Sequence, residues 1–123
     1  MKYRKLLVYK YQLTSTYNVQ TNIVLNDDIW EDFIYLHKSG MMTIKEGYAW
    51  DGATGGIDTK NFMRGSLTHD ALTQLIRLKR LPQAQRLNAD KLLKQICLED
   101  GMSKLRAWWV FKAVRAYVRI KYV

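Results

Sequence analysis

Apolar and polar positions alternate through the first half of the chain and recur every three or four residues through the second. Leu6–Thr14 and Val19–Leu25 are rich in Tyr, Val, Thr and Ile, while Phe33–His37 and Met41–Lys45 flank Lys38-Ser39-Gly40. β-Branched and aromatic residues suit a pleated, half-buried surface, so these four runs predict strands, the last two joined as a hairpin. Asn26-Asp27-Asp28 marks another turn. Four of the seven glycines fall between 47 and 56, so Tyr48 to Lys60 reads as loop. Asp58, Thr59 or Asn61 then caps a helix running to about Lys79. Pro82 suits the first turn of a second helix ending at Gly101, and Ser103 caps a third that reaches nearly to Val123. No repeat or linker separates the halves. The expected organisation is one domain over 1–123, with strands over about 1–48, a glycine-rich loop over 49–58 and helices over about 61–122. That is an α+β fold, a small antiparallel sheet packed with three C-terminal helices.

Helical spacing sorts the polar residues of the second half. Gly65, His69, Leu72 and Ile76 share one face of the first helix, whereas Asp70 lies about 100° around on a polar neighbour face. On the second helix Arg86, Asp90, Leu93 and Cys97 form a stripe. The connection around Arg80-Leu81-Pro82 is short, so the two helices should pack antiparallel as a hairpin. His69 lies eleven residues before Arg80 and Asp90 ten after it, which brings them level across the interface. A carboxylate bonded to one imidazole nitrogen fixes the tautomer and leaves the other nitrogen to accept a proton from water. His69 and Asp90 are therefore a candidate catalytic dyad, and equally a candidate structural pair.

Asp70 admits a separate reading. If the Trp50–Gly56 loop folds over it, Asp70, Asp51 or Asp58, and backbone carbonyls near Gly52 would offer the hard oxygen ligands that calcium prefers. The alternative is that Asp70 is solvated, Trp50 plugs the core and Asp51-Gly52 is a turn.

Composition narrows the setting. With 48% hydrophobic residues the chain can bury a core without disulfides, and Cys97, its one cysteine, cannot bridge internally, so a reducing compartment or an assembled particle is expected. The start lacks the apolar run of a signal peptide, and no stretch approaches the roughly 20 apolar residues of a membrane span. The net charge of +9 is uneven. Residues 1–61 hold seven Lys/Arg against seven Asp/Glu, and residues 62–123 hold thirteen against four. The surplus points to a polyanionic neighbour or to a solvated basic face. On the third helix Lys104, Trp108, Lys112, Arg115 and Arg119 form a basic stripe. Ala107, Val110, Phe111, Val114 and Val118 form the apolar face expected in the core. The basic stripe suits lipid head groups, or phosphates with Trp108 or Tyr117 stacking a base. His37 has no His or Cys cluster around it, so zinc is not expected, and no phosphate-loop or dinucleotide fingerprint is present.

The run Gly47-Tyr-Ala-Trp-Asp-Gly-Ala and then Asp58 through Leu72, with Ala89-Asp90, Glu99-Asp100-Gly101-Met102 and Arg106-Ala107, resembles a family of short phage and prophage proteins of unknown function. The resemblance covers roughly residues 30–116 and implies a phage origin, with other phage particle proteins as partners. The His-Asp dipeptide and the Asp on a facing helix also look like the phospholipase A-two superfamily. That likeness implies His69 as base, Asp90 as its orienting partner, and Asp70 with Gly52 and neighbouring backbone as calcium ligands. The chain departs from the pattern in lacking the family's disulfides and in carrying Thr73 where an aromatic residue is usual. Three functions are thus in view. The first is a bacteriophage virion or assembly component, tail or particle, with a basic helical face. The second is a calcium-dependent, phospholipase-like ester hydrolase, and the third a basic nucleic-acid-binding accessory protein. The virion or the bacterial host cytoplasm is the expected location.

Overall fold

A computed structural model describes residues 1–6, 11–52 and 59–121, with the side chains of the last helix described as far as residue 116. The chain divides into two units, Met1–Ile57 and Asp58–Val123. Every described strand lies in the first and the three α-helices lie in the second, so the fold is α+β.

The first unit contains β1 (Tyr3–Lys5), β2 (Tyr11–Leu13), β3 (Tyr17–Gln20), β4 (Ile29–Trp30), β5 (Ile34–Leu36), β6 (Met41–Ile44) and β7 (Ala49–Trp50). They form two antiparallel sheets, ordered β1-β2-β7 and β3-β6-β5-β4. Alternation explains the core of the larger sheet: Ile34 and Leu36 face Ile44 and Met42 across the β5–β6 ladder, and all four are buried. The expected hairpin is present. Its turn closes through the Gly40 amide donating to the His37 carbonyl at 2.8 Å, with Gly40 at φ +97°. A Cβ at Gly40 would lie 2.6 Å from the Ile23 carbonyl oxygen, so no other residue fits.

Two strands were not expected: β4 directly follows the Asn26-Asp27-Asp28 turn, and β7 lies within the expected loop. Each is two residues long, too short for alternation to be visible. Of the expected strand 6–14, Tyr11–Leu13 is β2 and residues 7–10 lie outside the described ones; Tyr3–Lys5 pairs with it as β1. The expected strand at Val19–Leu25 ends early, at Gln20. There the Thr21 hydroxyl donates to the Gly40 carbonyl and accepts from the Ile23 amide, which interrupts the regular ladder, although the Thr21 and Leu25 amides still donate to the Gly40 and Lys38 carbonyls.

In the second unit α1 spans Lys60–Arg77, a single 3-10 turn spans Gln83–Gln85, α2 spans Arg86–Glu99 and α3 spans Lys104–Lys121. Thr59 stands at the cap position of α1, but its hydroxyl donates to the Asn61 side chain and leaves the helix amides alone. Pro82 precedes the 3-10 turn, so α2 begins four residues later than its proline suggested. Ser103 caps α3 as expected, its hydroxyl accepting from the Arg106 amide at 3.2 Å. α1 packs on α2 and α2 on α3.

Candidate functional site

The α1–α2 hairpin is antiparallel and closely packed. Arg64 at the start of α1 grips Asp100 beyond the end of α2 with a two-pronged ion pair at 2.9 and 3.0 Å. One residue on, Gly65 lets the helices approach. A Cβ there would lie 2.9 Å from Leu93 Cδ1 and 3.0 Å from Cys97 Sγ. Burial pushes the Cys97 thiol up to about 12, so it is a packing group with no thiolate for chemistry.

One turn along α1 from Gly65, His69 meets Asp90 of α2, with Nε2 2.5 Å from Oδ1. Equal distance from the turn therefore located this pair correctly. Asp90 is fully buried, and two further side chains converge on it. Arg86, one turn earlier on α2, donates from Nε to the same Oδ1 at 3.0 Å. Arg115 of α3 donates from a terminal nitrogen to Oδ2 at 2.9 Å. Both oxygens are thus engaged, and the bonds come from all three helices. Burial by itself raises the Asp90 carboxyl. The hydrogen bond and charge of His69, followed by those of Arg86, outweigh burial and hold the group below its ordinary value.

The two arginines differ in setting. The Arg86 side chain is 7% exposed and that of Arg115 is 32% exposed. Arg86 was legible as an i, i+4 neighbour of Asp90, since Arg and Asp at that spacing share a helix face. Arg115 was assigned to the outer basic stripe of α3, and the structure turns it inward to Asp90. Nothing in its own helix marks it out, because its direction depends on how α3 leaves the Asp100–Ser103 bend.

The remaining candidates belong to different elements. Asp70 follows His69 on α1 and is partly buried, and its backbone carbonyl accepts from the Thr73 hydroxyl at 3.0 Å. Asp51 and Gly52 belong to the first unit, next to the buried Trp50, and the glycine loop from 53 to 58, Asp58 included, lies outside the described residues. Among the described residues no group of three or more His, Cys, Asp or Glu side chains is placed to hold a metal. His37 bonds Ser39 through Nδ1 at 2.7 Å and approaches Asp28 at 3.8 Å. Trp108 and Lys112 lie exposed on α3, with the ammonium 5.5 Å from the indole centroid. The side chains of Tyr117, Val118 and Arg119 lie outside the described residues. Among the described residues no helix is long and apolar enough to cross a membrane.

Chemically, the arrangement orients an imidazole through its Nε2. Asp90 holds Nε2 and leaves Nδ1 as the nitrogen for a water or a partner. The same carboxylate is shared with two guanidiniums, so it has less unshared charge to offer an imidazolium than a two-member dyad would. No family model, curated protein or solved structure matches the chain.

Proposed function

We propose that this protein is a non-catalytic component of a bacteriophage particle or of its assembly, in which the helical unit is a braced support for a docking face on α3. The resemblance to short phage proteins supplies the setting. The observation that carries the non-catalytic reading is the saturation of Asp90: three cationic or proton-bearing side chains fill one buried carboxylate and tie α1, α2 and α3 together. A buried ion cluster of this kind fixes helix register and orientation.

Replacing His69 with Gln keeps a donor for Asp90 and removes any base. In a phage lacking the gene, we expect His69→Gln to restore titre as wild type does, with the protein present in purified particles. Loss of titre with an unchanged melting curve would overturn the reading. That outcome would favour a hydrolase, the second reading, which rests on the way Asp90 engages Nε2 alone and leaves Nδ1 for water. Ester release from phospholipid by wild type but not His69→Gln, with a calcium-raised melting temperature abolished in Asp70→Asn, would then identify it.

A further inference from the structure

Helix α3 divides its side chains between two environments. Of the face expected in the core, Ala107 is fully buried and Val110, Phe111 and Val114 are only partly so. The opposite arc leaves Leu105 68% and Trp109 61% exposed, with Trp108 at 42%. Neither Leu105 nor Trp109 belongs to the basic stripe read from the sequence. At helical spacing Leu105, Trp109 and Ala113 make one row, and Lys104, Trp108 and Lys112 make the row beside it. The indoles of Trp108 and Trp109 meet edge to face, centroids 5.0 Å apart. An apolar row thus runs in water alongside a cationic one.

The charge around this face restricts what can cover it. From Ser103 to Val123 the sequence has no Asp or Glu and six Lys/Arg. A second copy is disfavoured, because a twofold contact would set Lys104 and Lys112 against their own images. Nucleic acid needs open ring faces for stacking. Here Lys112 stands over the Trp108 ring, Trp109 abuts it at 75°, and Leu105 has nothing to match in a polynucleotide. An anionic bilayer surface meets every feature at once. Leucine and indole enter the boundary between head groups and acyl chains, while lysines lie along them and reach the phosphates.

We infer that residues 104–116 of α3 bind the surface of an anionic phospholipid bilayer, lying in its plane with Leu105 and Trp109 inserted and Lys104 and Lys112 on phosphate. This rests on α3 being the docking face proposed above and names what that face docks on.

The test is sedimentation of the full chain with phosphatidylcholine vesicles, with and without phosphatidylglycerol, and in parallel with a single-stranded DNA oligonucleotide. Binding is expected only to the vesicles containing phosphatidylglycerol and should weaken as salt rises. The double variant Leu105→Ser, Trp109→Ser should bind them at least about tenfold more weakly, the least expected when a leucine and an indole lose apolar contact. Both positions are exposed, and an unchanged circular-dichroism melt confirms that the variant is folded. Equal binding to neutral vesicles, undiminished binding by the double variant, or no vesicle binding at all would overturn the inference. DNA binding that the double variant loses, with vesicles left unbound, would assign the face to nucleic acid instead. Failure on vesicles with normal incorporation into particles removes this inference alone, whereas vesicle binding by a protein absent from particles removes only the assembly reading.

Discussion

The interior of the helical unit and the outer arc of α3 use cations for opposite purposes. Inside, Arg86 and Arg115 surround one buried carboxylate, where planar guanidiniums satisfy both oxygens with directed bonds. Outside, Lys104 and Lys112 flank exposed indoles, and a flexible ammonium stays solvated until an anion arrives. The positive charge that crowds the second half of the sequence is therefore divided. Part of the surplus of the second half holds helices together, and the rest faces outward. Arg115 and Lys112 are three residues apart on the same helix and fall on different sides of that division.

The division breaks most decisively at Asp90. Asp90→Ala should cost about 3–5 kcal/mol, because it leaves the Arg86 guanidinium buried without a counter-charge. Urea unfolding measures this, and a loss below about 1 kcal/mol would mean that the cluster braces nothing. pH sharpens the same point. The carboxyl is held below its ordinary value, so its contribution is complete above the unfolded pKa of about 3.9 and disappears as pH falls through the folded value. Wild type and Asp90→Ala should therefore converge in stability only in acid below that point.

A purely steric counterpart is Gly65→Ala. The added methyl would meet Leu93 and Cys97 at 3.0 Å or less, and forcing the hairpin apart should cost about 1–3 kcal/mol. If the thermal midpoint is unchanged, the helices are less tightly closed than the structure has them. The smallest effect lies at the end of α1, where Lys79 adopts φ +61° while its neighbours close the helix: the Arg80 amide donates to the Leu75 carbonyl at 2.9 Å. Lys79→Gly should relieve the left-handed strain and gain up to about 1 kcal/mol, part of it offset by glycine's greater unfolded entropy. A destabilised variant would show that the lysine side chain contributes more than its backbone costs.

Much of this arrangement was legible in the sequence where short-range rules operate. Equal spacing from the Arg80–Pro82 turn identified the His69–Asp90 pair, and the Ser39-Gly40 turn identified the β5–β6 hairpin. Legibility ended where position depends on remote packing. Arg115 reaches Asp90 only because α3 leaves its bend at one particular rotation, which no periodicity within α3 encodes. The exposure of Trp109 and Leu105 could by contrast be read from spacing, since both lie opposite the apolar face of Ala107, Val110, Phe111 and Val114, although their residue types point to a core. The Thr59 cap failed for a local reason, since its hydroxyl bonds the Asn61 side chain instead of a helix amide.

The Arg115–Asp90 bond also makes α3 a mechanical element. A surface that holds the outer arc of α3 pulls on a helix whose inner side is tethered to a carboxylate buried in α2 and shared with α1. Peeling α3 away would break one of that carboxylate's three side-chain bonds, the one to Oδ2, so tension applied at Trp109 is opposed at the centre of the unit. The load is thereby shared by three helices.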